Sequence, residues 1–216
     1  MTPTRSREMP PGVLMLARGK HRGPEDGSCL MEYVSVLAGR SFTDRPRSTH
    51  PLLSWLARRV NDEVDDVVRA QLAGLAPALI GTRLRRPRCR GLVRAVIYDE
   101  LARAALTAAP HDGWLRDLRA LALAHLAHVV GTAPVDTTCR PEMPARRRPL
   151  GTIDRNLAFD AACDALAGLE PGLRDRLLCA ALVGSIARTR QGLGVADIDV
   201  VPLGPEPHAA PAAPLR

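Results

Sequence analysis

Three residues near the start of the chain carry side chains that commonly bind metal ions. Cys29 and Glu32 are three positions apart, a spacing that places two side chains on one face of a helix. His50 follows after a polar segment that could fold back toward them. A thiolate, a carboxylate and an imidazole are suitable ligands for Zn²⁺ or Fe²⁺, and three protein ligands leave one position open for chemistry. The first hypothesis is therefore a metal site at these three residues.

The same residues also fit simpler roles, which the sequence leaves open. Cys29 stands at the predicted start of a helix, where a thiol has a lowered pKa and becomes reactive. It could equally be a small buried apolar residue. In that case we expect Glu32 to pair with an arginine and His50 to occupy the first turn of the following helix.

Residues 26–62 resemble a loosely defined group of bacterial helical proteins of unknown function. The resemblance rests on the Cys-x-Met-Glu pattern that begins at Cys29, on an Ala-Gly pair before a polar segment, and on the His-Pro pair at His50. Arg45 stands where that group carries histidine, and Ser48 stands where it carries cysteine. Because no activity is known for the group, the resemblance implies a helical segment and no specific function.

A second set of chemically suitable residues lies near the end of the chain. Asp197 and Asp199 are two positions apart, so on a strand both carboxylates would point to the same side and could share divalent metal ions. Gly184 and Ser185 precede this pair, with eleven residues between Ser185 and Asp197. A Gly-Ser turn lets backbone N–H groups approach phosphate closely, because glycine has no side chain. Together these residues predict binding of a metal ion and a nucleotide.

This arrangement resembles the signature of the nucleotidyltransferase superfamily, in which an apolar strand and a Gly-Ser pair are followed by Asp-x-Asp on a second strand. The resemblance implies that Asp197 and Asp199 hold Mg²⁺ and that Gly184, Ser185 and Arg188 contact the nucleotide. In a chain of 216 residues, only 17 follow Asp199. Because the family needs a further strand there, the resemblance implies a truncated and incomplete unit.

The segment around Gly184 also has the apolar pattern of a helix. The residues at helical spacing are Leu173, Leu177, Leu178, Ala181, Leu182 and Ile186. Pro171 would begin that helix, and Gly192 or Gly194 would end it. The sequence leaves open whether residues 171–191 form one helix or a strand and a turn.

Histidines and arginines elsewhere give weaker signals. His125 and His128 are three apart on a predicted helix and could chelate a metal, although the surrounding Ala and Leu favour helix packing. Two basic patches could contact the phosphates of a nucleotide or a nucleic acid. They consist of Arg83, Arg85, Arg86, Arg88 and Arg90, in a predicted loop over 83–90, and of Arg146, Arg147 and Arg148, in a second predicted loop. Neither patch has interleaved aromatic residues on which single-stranded bases could stack.

Composition favours helices and a reducing compartment. Apolar residues make up 46% of the chain, with Ala and Leu dominant and aromatic residues only 3%. The net charge is +7. Almost all of the positively charged residues are arginines, a bias typical of GC-rich bacterial genomes. Five widely spaced cysteines without a C-x-x-C pair argue against a disulfide framework. We therefore expect a cytoplasmic protein without a membrane partner.

The periodic segments predict an all-α fold, a multi-helix bundle with a small C-terminal segment that is helical or a truncated α/β unit. The predicted parts are an irregular arm over 1–28, a helical bundle over 29–130, a linker over 131–151, a C-terminal segment over 152–201 and a disordered tail over 202–216. Within them we expect helices over 29–39, 51–60, 67–77, 92–108, 112–130 and 152–169, with Ser48 or Thr49 capping the second. On the last of these helices we expect the side chains of Ile153, Leu157, Ala161 and Leu166 to point inward. The most consistent functional expectation is a non-catalytic binding or regulatory module, with the nucleotidyltransferase-like and metal-binding alternatives open.

Overall fold

The computed structural model describes residues 15–83, 87–130 and 150–196, and within these ranges the fold is all-α without strands. The helices are α1 (Leu30–Leu37), α2 (Pro51–Glu63), α3 (Asp66–Gln71), the single turn α4 (Ala76–Leu79), α5 (Pro87–Ala105), α6 (Gly113–Val130), α7 (Arg155–Leu166) and α8 (Pro171–Leu193). The predicted fold class is confirmed. None of these helices is both long enough and apolar enough to cross a lipid bilayer.

Helix α5 is the centre of the molecule. It packs against α2, α6, α7 and α8. Its buried residues, among them Val96, Ile97 and Tyr98, lie on several sides of the helix, as expected for a helix surrounded by others. The described parts of the predicted bundle and of the predicted C-terminal segment therefore share one buried core.

The described part of the N-terminal arm contains one turn of 3-10 helix at Pro24–Asp26, and hydrogen bonds connect the arm to α2. The Asn61 side chain donates from Nδ2 to Ala17 O at 2.9 Å and accepts at Oδ1 from Leu30 N at 3.1 Å. Gly19 N donates to Asp62 Oδ1 at 2.8 Å. Two polar residues at one end of α2 thus hold both the arm and the start of α1.

Several helix ends lie where the sequence predicts them, because they depend on local chemistry. Pro51 stands in the first turn of α2, and Asp112 accepts from Leu115 N at 2.8 Å at the start of α6. Gly39 follows α1 with a φ of +68°, and Gly194 caps α8 with a φ of +63°. Both angles lie in the left-handed region that favours glycine.

Three local predictions are wrong. The cap of α2 is His50 rather than Ser48 or Thr49, because the His50 ring accepts a hydrogen bond from Leu52 N. The predicted basic loop over 83–90 is helical from Pro87 onward. Leu157, expected to point inward on α7, is 54% exposed, since α7 packs mainly through Ala158, Phe159 and Ala162 on another face.

Helix α8 settles the conformation of residues 171–191. It is continuous from Pro171 to Leu193, with Glu170 capping its first turn by accepting from Gly172 N and Leu173 N. The helical alternative is therefore the one found, and Gly184 lies in the middle of the helix. The predicted linker falls almost entirely outside the described residues, as does the predicted tail.

Candidate functional site

Cys29 and Glu32 meet at the start of α1, as their spacing predicts. Cys29 is the N-cap, and its backbone N–H donates to Glu32 Oε2 at 2.8 Å. The thiol is almost fully buried, and burial raises its pKa to about 12, with the charge of Glu32 acting in the same direction. The expected lowered pKa is therefore wrong, because removal of water outweighs the effect of the helix start.

Glu32 pairs with the N-terminal arm rather than with an arginine. Its carboxylate accepts from His21 N at 2.9 Å and lies 2.8 Å from His21 Nδ1. Burial acts to raise the pKa of Glu32, but the hydrogen bonds from Cys29 and His21 outweigh it and lower that pKa. The side chain thus serves as a buried acceptor that joins the arm to α1.

His50 has separate partners at the start of α2. Its Nδ1 accepts from Leu52 N at 3.2 Å, and its backbone N–H donates to Thr82 Oγ1 at 3.0 Å. Burial, and then the charges of Arg90 and Arg83, lower the pKa of His50 to about 4. Across the described ranges, no three Cys, His, Asp or Glu side chains form a group that could hold a metal ion. Cys29, Glu32 and His50 therefore do not come together as the ligand set that Zn²⁺ or Fe²⁺ would need.

Gly184 of the C-terminal motif lies on the face of α8 that packs against α5. A Cβ atom at Gly184 would lie 2.6 Å from Glu100 Oε2, so the glycine makes room for that carboxylate. Ser185 is fully buried beside it. Asp197 and Asp199 lie outside the described residues, so the predicted Mg²⁺ and nucleotide roles stay a prediction.

Arg188 neutralises a buried acidic pair on α5. Its Nη1 donates to Asp99 Oδ2 at 2.5 Å and to Glu100 Oε1 at 2.8 Å. Arg119 of α6 donates to Asp99 at 3.1 Å, and Arg103 donates to Glu100 at 2.6 Å. Burial acts to lower the pKa of Arg188, but the hydrogen bonds that it donates to Glu100 and Asp99 outweigh burial and raise that pKa. Every charge in this group has an opposite partner, which is typical of a structural network.

His125 and His128 have different environments in the structure. His128 is exposed on α6, whereas His125 is partly buried against α5. A Cβ atom at Gly91 would lie 2.7 Å from His125 Nε2, so the glycine admits the ring. This close contact is the helix packing that the sequence favoured for His125.

A different group of residues forms the best candidate site, a cleft of about 340 Å³ between the start of α2 and the start of α7. It is lined by Arg45, Pro46, Thr49, Pro51, Ser54, Arg58, Arg83 and Arg155. Four of these eight residues are arginines, and none is acidic. We call this surface the arginine cleft.

Two arginines of the cleft, Arg45 and Arg58, form ion pairs with Asp44, and Arg58 is the less exposed of the two. Its side chain is 23% exposed, and its Nη1 donates to Asp44 O at 2.6 Å and Ser54 Oγ at 3.2 Å. The nearest carboxylate oxygen, Asp44 Oδ2, lies 3.8 Å from Nη1. Burial lowers the pKa of Arg58, and Asp44 offsets this in part. The Asp44 carboxylate therefore lies close to two guanidinium groups of the cleft, those of Arg45 and Arg58.

Arg155 is oriented by an aromatic ring. Its guanidinium carbon lies 5.3 Å from the centroid of the Trp55 ring. Trp55 in turn donates from Nε1 to Asn156 Oδ1 at 3.1 Å, which ties α2 to the start of α7. This contact fixes the side of the arginine cleft that α7 contributes.

Of the residues in the arginine cleft, the sequence singled out only Arg83 for a chemical role. The others are separated by long stretches of chain and are no different, by local pattern, from the many other arginines. Comparison with protein-family models, curated proteins and solved structures gave no match for this chain. The arginine cleft therefore has to be interpreted from its own chemistry.

Proposed function

We propose that this protein is a non-catalytic helical binding module that holds a small, phosphate-bearing anion in the arginine cleft. The observation that carries the proposal is the convergence of Arg45, Arg58, Arg83 and Arg155 on one concave surface. Asp44 is the carboxylate that forms ion pairs with two of them, at 3.9 Å from Arg45 Nε and 3.8 Å from Arg58 Nη1. The surplus of positive charge suits a ligand with at least two negative charges.

Guanidinium groups are suited to this task by their shape. The planar fork of arginine binds two oxygens of one phosphate or carboxylate group at the same time. Arg58 is anchored by Asp44 O and Ser54 Oγ, and Arg155 is stacked on Trp55. Because these two side chains are already oriented, less conformational entropy is lost when the ligand binds. We infer that they contribute most of the affinity.

The size and lining of the arginine cleft favour a small ligand that is held without being transformed. Its volume of about 340 Å³ is near the lower end of the usual range for small-molecule pockets. The lining hydroxyls of Thr49 and Ser54 donate to backbone carbonyls, Thr49 to Leu79 O at 3.1 Å and Ser54 to Asp44 O at 3.4 Å. The eight lining residues include no carboxylate, thiol or imidazole that could act as a general base.

Titration calorimetry with pyrophosphate at low ionic strength tests this function. We expect wild-type protein to bind, and Arg58→Gln/Arg155→Gln to lose at least about tenfold in affinity, because each charge-assisted hydrogen bond is worth more than about 1.4 kcal/mol. The matched control is Arg116→Gln, which removes an exposed arginine of α6 that is not part of the cleft. Absence of binding, or an equal loss in the control, would overturn the proposal.

Two further arms separate the alternatives. Binding of a single-stranded oligonucleotide but not of pyrophosphate would indicate a nucleic-acid surface instead. Magnesium-dependent ATP binding that is abolished by Asp197→Asn/Asp199→Asn, and unaffected by Arg58→Gln/Arg155→Gln, would favour the nucleotidyltransferase-like alternative. Under our proposal, the arginine substitutions weaken binding and the aspartate substitutions do not.

A further inference from the structure

Arg190 is a buried arginine that donates to three backbone carbonyl oxygens, whereas Arg188 donates to carboxylates. It lies in the last turn of α8 and is 3% exposed. Its Nη1 donates to Ala78 O at 3.0 Å and to Ile80 O at 3.1 Å, and its Nη2 donates to Ala196 O. Backbone carbonyls at the end of a helix have no donor within that helix, so a buried guanidinium supplies it. Arg190 thereby ties the end of α8 to the end of α4.

The residues that follow Ala78 lead directly into the arginine cleft. Gly81 N donates to Ser48 O at 2.9 Å, on the segment before α2. Thr82 Oγ1 accepts from His50 N at 3.0 Å and donates to Leu79 O at 2.9 Å. Successive residues are therefore held from both sides, by Arg190 on one side and by the start of α2 on the other. Arg83, the next residue, lines the cleft.

We propose that Arg190 is a positioning residue for the arginine cleft and that α8 sets the affinity of the cleft through it. Arg190 fixes the backbone at Ile80, and this determines where the Arg83 guanidinium can reach. The proposal rests on the proposed function, because it assigns Arg190 to the same ligand. An arginine on a fixed backbone loses less freedom on binding than one on a loose segment. Arg190 is not itself among the residues that line the cleft.

A double-mutant cycle on pyrophosphate binding tests this inference. We expect Arg190→Gln and Arg83→Gln each to weaken binding about fivefold, and the double variant to bind no more weakly than Arg83→Gln alone. In the matched cycle, the fold-losses in affinity of Arg190→Gln and Arg58→Gln should multiply in the double variant, because Arg58 belongs to a different element. Full additivity between Arg190 and Arg83, or wild-type affinity in Arg190→Gln, would overturn the inference.

A purely structural role for Arg190 would give a different result. In that case Arg190→Gln would lower Tm but leave the affinity unchanged when binding is measured well below Tm. If Arg190→Gln does not fold, Thr82→Val loosens the same segment from the other side and should show the same non-additivity with Arg83→Gln. Failure of wild-type protein to bind pyrophosphate contradicts the proposed function, whereas binding that responds to Arg58→Gln but not to Arg190→Gln contradicts this inference alone.

Discussion

Two regions of the molecule use arginine in opposite ways. At the contact between α5 and α8, Arg188 binds both carboxylates of the buried pair Asp99 and Glu100, and hydrogen bonding raises the pKa of Arg188. In the arginine cleft, Arg58 has one carboxylate at 3.8 Å, and burial lowers the pKa of Arg58. The same side chain is neutralised in the first region and left with a charge surplus in the second.

This difference distinguishes arginines whose charge is paired within the protein from arginines whose charge is available to a ligand. A buried charge is stable only when it is paired and hydrogen-bonded, and the network at Asp99 and Glu100 meets that condition within the protein. The arginine cleft has fewer acidic partners than guanidinium groups, so a bound anion would complete it. Removal of an arginine should therefore change mainly stability in the first region and mainly affinity in the second.

The largest expected effect concerns His50, which lies between Thr49 and Pro51 at the edge of the arginine cleft. Its pKa is lowered from 6.5 to about 4, chiefly by burial and then by Arg90 and Arg83. The unfolded chain therefore binds a proton between these values while the folded chain does not. Stability is full above about pH 6.5 and falls as the pH drops toward 4, by about 3 kcal/mol in total.

Urea denaturation across this pH range measures the His50 effect. His50→Asn keeps an acceptor at the cap of α2 but does not titrate, so its stability should fall by about 3 kcal/mol less than that of wild type. Arg83→Gln should reduce the fall by a smaller amount, because burial is the larger cause. Parallel profiles for wild type and His50→Asn would contradict the prediction.

The next effect tests the neutralised region. Arg188→Ala leaves Asp99 and Glu100 buried with one arginine each, and should lower the free energy of unfolding by about 2 kcal/mol. This is below the usual cost of breaking a buried pair, because Arg188 is about one-third exposed and water screens its charge. Arg176→Ala, an exposed site on the same helix, is the matched control. The pyrophosphate affinity of Arg188→Ala should be unchanged. A loss of affinity would contradict the claim that the two regions use arginine differently.

The sequence predicts the parts of this fold that depend on neighbours along the chain. Pro51, Asp112 and Gly194 mark helix ends, because capping and turn formation need only residues within a few positions. The same local pattern misled at Leu157, where the buried face of α7 depends on which side meets the other helices. Caps and periodicity therefore identify helices more reliably than they identify their buried faces.

The candidate site could not be predicted in this way. Arg45 and Arg155 are 110 positions apart, and only the packing of α2 and α7 brings both to one cleft. Gly184 shows the reverse case, since its local pattern suggests a phosphate-binding turn but the structure uses it to admit the Glu100 carboxylate. In both cases the chemistry depends on long-range contacts that local spacing does not contain.

A smaller effect tests the close approach of α5 and α8. Gly184→Ala places a Cβ atom 2.6 Å from Glu100 Oε2, and this carboxylate is restrained by Arg103 and Arg188. The clash should outweigh the better helix propensity of alanine and leave a net loss of about 1 kcal/mol. The control is Gly113→Ala, where no atom lies within 4 Å of the added carbon. If Gly184→Ala stabilises the protein as the control does, Glu100 is not held in place by its network.

The smallest effect asks whether the arginine cleft recognises shape as well as charge. Arg155→Lys keeps the positive charge but removes the planar fork and weakens the contact with the Trp55 ring. We expect pyrophosphate affinity to fall about threefold, or about 0.7 kcal/mol, with stability nearly unchanged. Arg116→Lys on α6 should leave affinity at the wild-type value. Equal affinity in Arg155→Lys and wild type would mean that the cleft binds anions through its charge alone. The affinity should then fall steeply with added salt, and the cleft should discriminate little between anions of equal charge.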